Sequence, residues 1–255
     1  MSIIKRMLVG TLDVGIWDTR ADMGAAAAAD AGACLERLLS EQAVLNVMFA
    51  AAPSQNEFLS ALCKDTRIDW TRVIAFHMDE YVGIDPNAPQ GFAEFLRARV
   101  FSRLPFRSVH CIDCTADGDR EAKRYAALLK SSPLDVCFMG VGENGHIAFN
   151  DPPVANFFDP LAVKLVALDE RCRMQQVHDG CFATIEAVPM HALTVTVPAL
   201  FAAKEIFCIV PAATKAAAVR EMLSGAVGTR CPASILTTHP SARLYLDADS
   251  AKHLL

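Results

Sequence analysis

Short apolar runs, several of them β-branched, alternate along this chain with turn-forming clusters and with longer stretches of helical periodicity, the order of elements expected of an α/β protein. The pattern predicts strands at 45–49, 73–78, 108–112, 136–141, 193–197, 206–210 and 244–246, and helices at 21–40, 54–64, 92–101, 118–130 and 214–223. Several of the strands are apolar throughout rather than alternating. That is the signature of an open, mostly parallel sheet with helices covering both faces.

No Ser-, Gly- or Pro-rich linker divides the chain and no internal repeat is visible, so a single domain over 1–255 is expected. The stretch 150–186 breaks the rhythm: three prolines near its start precede LDERCR and QQVHDGCF, which read poorly as sheet or core helix. An irregular insertion of this length suggests a lid over a binding site. At 255 residues, 53% hydrophobic and 21% charged, the chain can bury a sizeable core and is too apolar to be disordered. Twenty-four Lys and Arg against 29 Asp and Glu give a net charge of −5, without the basic stripe that nucleic acid requires. Gly10, Asp13 and Asp18 interrupt the N-terminal apolar stretch before it can form a secretory signal, and no tract approaches the ~18–20 residues of a membrane span. Neither a nucleic-acid nor a membrane partner is expected. The nine scattered cysteines suit a reducing compartment, hence the cytoplasm.

Ligands of parallel sheets bind beyond the carboxyl ends of the strands, and three such ends carry candidate chemistry. After Phe49 comes Ala50-Ala51-Ala52-Pro53-Ser54-Gln55-Asn56-Glu57, in which Ser54 and Glu57 have capping-box spacing. After Phe76 the chain runs through His77-Met78 into Asp79-Glu80-Tyr81, setting two carboxylates at the rim of an apolar core where desolvation would strengthen them as bases. After Met139, the glycines of GVGENGHIAFND let backbone approach a ligand and bring His146 to the sheet edge, with Asp151 five residues on to orient it. The run Gly140, Gly142, Gly145 lacks a dinucleotide-binding context. Cys111 and Cys114 form a lone CxxC to which His110 adds one ligand at most, and His178, His191, His239 and His253 have no metal-like spacing. Lys215, opening a helix after an apolar strand, is placed to meet an anion.

FHMDEYVGI and FMGVGENGHIAFNDP closely resemble the two signature segments of the glucosamine-6-phosphate deaminase/isomerase family, and the likeness extends to PMHALTVTVPAL, KAAAV, PASILTTHP and LYLD. The related 6-phosphogluconolactonases share the fold, but Ile147-Ala148-Phe149-Asn150 after the histidine points to the amino-sugar branch. The resemblance implies a Rossmann-like sheet with a lid insertion, a small sugar phosphate as partner, and no metal or organic cofactor; it leaves a homo-oligomer possible. It implies conversion of glucosamine 6-phosphate and water to fructose 6-phosphate and ammonia. Asp79 matches the base that moves a proton from C2 to C1, His146 the group that opens the pyranose ring, and Asp151 the acid supporting that histidine, with Asn144 beside it. Ala51, Ala52, Ser54, Gln55, Glu80, Gly142, Gln176 and Lys215 match substrate-binding positions. Alternatives are a galactosamine-6-phosphate or other sugar-phosphate isomerase, a lactonase using His146 as base, and a non-catalytic sugar-phosphate sensor.

Three departures fall in this site. The family's phosphate loop is commonly Thr-Gly-Gly-Thr-Pro; here Ala51-Ala52-Pro53-Ser54-Gln55 keeps one hydroxyl, loses both glycines and, at Pro53, loses an amide donor. Asn144 stands where Asp is frequent, so it can orient His146 but brings no charge to an imidazolium. Gln176 aligns with a phosphate-binding lid arginine, for which Arg171 or Arg173 are nearby replacements.

Overall fold

The computed structural model describes residues 2–255; Met1, the first residue of the expected domain, lies outside them. Its main sheet has eight strands in the order β1-β2-β11-β10-β7-β3-β4-β6. They span Ile3–Val9 (β1), Leu12–Trp17 (β2), Leu45–Phe49 (β3), Val73–His77 (β4), Ser108–His110 (β6), Val136–Met139 (β7), Glu205–Val210 (β10) and Ala242–Asp247 (β11). Only the β1–β2 hairpin is antiparallel; every other pairing is parallel.

The two faces are filled by alternating strand residues. Val47 and Phe49 of β3, Val136 and Phe138 of β7 and Phe207 and Ile209 of β10 point to one side, against helices α1 (Arg20–Glu41), α2 (Asn56–Leu62) and α3 (Phe92–Leu96). Met48, Cys137, Met139 and Cys208 point to the other, against α4 (Gly118–Ser131), α6 (Val197–Phe201) and α7 (Ala216–Ser224). Phe138 lies at the centre of the first side, edge-on to Phe49, Phe58 and Phe207 at centroid distances of 5.3, 5.0 and 5.7 Å. Each such fully buried ring contributes roughly 1.5–3 kcal/mol. This packing gives the loops at the carboxyl ends of the strands a rigid base.

Several expectations are corrected. Residues 3–17, to which the pattern assigned no element, form the β1–β2 edge hairpin, turning at Gly10 and held by Thr11 N–H to Thr237 O at 2.9 Å. The insertion is not irregular: it contains β8 (Val163–Ala167) and α5 (Glu170–His178). The expected strand 193–197 is β9 (His191–Val195), outside the main sheet. It lies between β8 and the short β5 (Asp79–Tyr81) in a three-stranded antiparallel sheet, so Asp79, facing Thr194, is itself a strand residue. The Ser54–Glu57 capping box does not form. Residues Pro53–Gln55 make a 3-10 turn with no side-chain cap, and Glu57 instead pairs with Arg20 at 2.7 Å. The helix expected over 92–101 passes from α3 into a π-helical stretch, Arg97–Phe101.

Candidate active site

The chain builds β3, β4 and β6 outward on one side and then returns to lay β7 against β3, which makes the β3/β7 boundary the switch point of the sheet. A cleft opens there beyond the strand ends. Its wall takes Ala51, Ala52 and Ser54 from the loop after β3, Asp79 from β5, Gly142 and His146 from the loop after β7, Gln176 from α5, and Lys215 from the turn before α7. Eight of the twelve expected site residues thus meet in one cavity.

The other four stand off it. Asn144 and Asp151 lie behind His146. The Glu80 carboxylate is buried and turned away, accepting hydrogen bonds from the amides of Tyr81, Phe92 and Ala93 at 3.0, 3.0 and 2.8 Å. It caps α3 and holds β5, so its expected contact with substrate is corrected to a supporting one. Gln55 is fully buried, donating to Ile209 O at 3.1 Å and to Ser54 Oγ at 3.1 Å.

His146 Nδ1 is 2.7 Å from Asn144 Oδ1 and 2.8 Å from Asp151 Oδ1, while Asn144 Nδ2 donates to the same Asp151 oxygen at 2.9 Å. With two acceptors at Nδ1, the neutral ring carries its proton there and leaves Nε2 as a base. Burial alone would raise the Asp151 carboxyl, but the charge and hydrogen bond of His146, with further bonds from Asn144 and Cys172, bring it below its ordinary value. Sterics fix the ring as well: a Cβ on Gly142 would lie 2.2–2.4 Å from three of its atoms. Gly145, at φ +83°, has no room for one beside Cys231 Sγ. Asn150 Nδ2 ties this loop to Ile147 O and Val195 O, both at 2.9 Å.

Asp79 is 7% exposed, and its carboxyl has no hydrogen-bond partner among the described residues. Burial pushes it well above the ordinary carboxylate range, and the charges of Glu80 and Asp151 push it further. It lines the same cleft as a histidine whose tautomer is set. At the other end of the cleft Lys215 is 5% exposed with no hydrogen bond or ion pair among the described residues, and burial lowers its ammonium against the opposing influence of Asp179 and Glu143. The turn that delivers it is strained at Ala212, φ +83°, whose amide is gripped by both oxygens of Asp247 at 3.1 Å. A buried, unpaired ammonium facing a cleft is a site for an anion.

Sequence reasoning missed Arg20, Gln175, Asp179 and Thr214, which also line the cleft. Arg20 comes from the start of α1 and is engaged by Glu57 and Pro53 O, a contact that no local motif announces. Neither expected replacement for the lid arginine reaches the cleft. Arg173 is spent on Ile185 O and Val188 O at 2.6 and 3.1 Å, and Arg171 lines a separate surface cavity with Glu221 and Arg230. Among the described residues, one His/Cys/acid group is close enough to share an ion: His146, Asp151 and Cys172, within 4.8 Å. Its first two members are already bonded to each other. Cys111 and Cys114 are free thiols outside that group.

The sheet-end cleft thus brings together a buried carboxyl, an oriented histidine and a buried lysine, an arrangement able to exchange protons with a small molecule and to attract an anion. Residues 18–245 match the family model described as glucosamine-6-phosphate isomerases/6-phosphogluconolactonase, and the chain belongs to that family. It is 34% identical over 189 residues to a glucosamine-6-phosphate deaminase of Exiguobacterium sibiricum, covering 74% of this chain and 73% of that protein. It is also 34% identical over 188 residues to the deaminase of Bacillus thuringiensis, covering 73% and 70%. The fold matches a monomeric glucosamine-6-phosphate deaminase with a TM-score of 0.84 at 24% identity, over 94% of this chain and 98% of that one. It also matches the 6-phosphogluconolactonase of Trypanosoma brucei, with a TM-score of 0.79 at 16% identity over 98% and 100%.

Proposed function

We propose that this protein is a glucosamine-6-phosphate deaminase. The observation that carries the reading is that Asp79 and His146, two proton carriers in different settings, line one cleft with the unpaired Lys215. His146 Nε2 takes the proton of the C1 hydroxyl and returns it to the ring oxygen, opening the sugar; Asp151 and Asn144 hold Nδ1–H meanwhile. Asp79 removes the proton from C2 and delivers it to C1 while one proton passes from the nitrogen to O1, converting the open aldose to a C2 imine through an enolamine. Its burial makes the carboxylate basic enough for that transfer, and the substrate's ammonium favours its ionised form. Water adds at C2 and ammonia leaves, giving fructose 6-phosphate. Lys215 binds the phosphate, and within the 150–186 insertion Gln175 and Gln176 of α5, with Asp179 just after it, wall the site as a lid.

Among the described residues no helix is long and apolar enough to cross a membrane. The free thiols are consistent with a cytoplasmic enzyme. The test is incubation of the purified protein with glucosamine 6-phosphate, following ammonia and fructose 6-phosphate separately, with Asp79→Asn as control. Equal amounts of both products, lost in the control, are expected. Fructose 6-phosphate without ammonia, or no turnover across substrate concentrations, overturns the reading.

A further inference from the structure

The cleft does not end at the loop after β3. A second cavity of about 350 Å³ adjoins it, lined in common by Ala51, Ala52, Pro53, Phe92, Gln176 and Asp179. The cation of that second cavity is Arg99, from the π-helical stretch following α3. Two restraints fix it: Nε donates to Asn56 Oδ1 at 2.7 Å, and the guanidinium lies 3.7 Å from the centroid of Phe95. Neither terminal nitrogen has a hydrogen bond or ion pair among the described residues. A guanidinium held at one edge and one face, with its fork open to a cavity, has already lost the freedom that binding an oxyanion would cost it.

The neighbouring loop needs such a group. Pro53 has no amide to give, the glycines of a phosphate cradle are absent, Gln176 is neutral, and Arg171 and Arg173 are elsewhere. The negative charge shared by both cavities is Asp179, held by Gln175 Nε2 at 3.3 Å, so a phosphate drawn in by Lys215 needs a further cation to offset it.

We propose that Arg99 is a specificity-determining residue that binds the phosphate of the sugar substrate from the second cavity, replacing the lid cation this chain lacks. The inference rests on the deaminase reading for its substrate but not for its test. Inorganic phosphate is titrated calorimetrically into wild type and into Arg99→Met, whose unbranched stem keeps the packing on Phe95. The phosphate dissociation constant should rise about tenfold to a hundredfold, the worth of a charge-assisted hydrogen bond. KM for glucosamine 6-phosphate should rise with it while kcat stays within about twofold, as for a group that binds ground and transition states alike. Arg99→Lys, which keeps the charge but not the fork, should fall between. Equal phosphate affinity in wild type and Arg99→Met overturns the proposal, whatever the turnover. Phosphate binding lost in Arg99→Met by a wild type that does not deaminate glucosamine 6-phosphate would overturn the functional reading and leave the Arg99 site standing.

Discussion

The two ends of the cleft are built differently. At the chemical end the fold sets the groups: His146 is held by Asn144 and Asp151 and packs against Gly142, and the backbone of Asp79 is fixed by β5 opposite Thr194. At the anion end, the loop of small residues, the neutral Gln176, the acidic Asp179 and the unpaired Lys215 leave charge unbalanced. Preorganised acid–base groups raise the rate of whatever proton transfer is placed between them. The anion end decides what is placed there.

The largest expected effect lies at the chemical end. Asp79→Asn removes the base and should lower kcat by about 10²–10⁴-fold, measured as fructose 6-phosphate formed. The same change should stabilise the fold. An unfolded carboxyl ionises near its ordinary value of about 3.9, whereas folded Asp79 holds its proton to higher pH; the wild type therefore loses stability as pH rises from about 4 through the raised value. Asparagine has no such loss. The gain in thermal midpoint of the variant should widen with pH and then level off, worth about 1 kcal/mol or more. A variant that melts at the wild-type temperature at every pH would show that Asp79 is not held protonated by burial.

Next comes the anion end. Lys215→Met should raise KM for glucosamine 6-phosphate about a hundredfold with a smaller change in kcat, because a charge that meets phosphate throughout the reaction contributes mainly to binding. The variant also removes a buried, unpaired ammonium and should fold at least as stably. If KM stays within twofold, Lys215 does not touch the phosphate and the contrast between the two ends collapses.

The chemical end was also the legible one. The strands leading to Asp79 and His146 are apolar on both sides, so their composition announces them, and β3 begins and ends where the pattern placed it. β1 escaped because it is an edge strand whose side chains are mostly exposed and show no buried face. β5 reads Asp-Glu-Tyr, poor strand material in isolation; its structure comes from pairing with β9 and from the amides that Glu80 accepts. α5 hides for a related reason. The residues it buries are Cys172, Gln175 and Gln176, two of them polar, so no apolar stripe marks its inner face. Arg99 and Arg20 were invisible in kind: each reaches the cleft region through contacts distant in sequence, Asn56 for one and Glu57 for the other.

The smallest expected effect probes how the chemical end is balanced. Asn144 does two jobs: its carbonyl accepts from His146 Nδ1 and its amide donates to Asp151 Oδ1. Asn144→Asp keeps the first and reverses the second, bringing a carboxylate against Asp151, which is 1% exposed. Two buried carboxylates at that distance do not both ionise without cost, so the variant should lose about 1–3 kcal/mol of stability near neutral pH and recover part of it on acidification, when one carboxyl takes up a proton. The added negative charge beside the imidazole favours its protonated form, so the acidic limb of the pH–rate profile should move to higher pH. An unchanged profile would mean that Asp151 alone sets the histidine and that Asn144 is a spacer. A shifted profile with kcat preserved would show that the same chemistry runs with either an amide or a second charge beside the histidine.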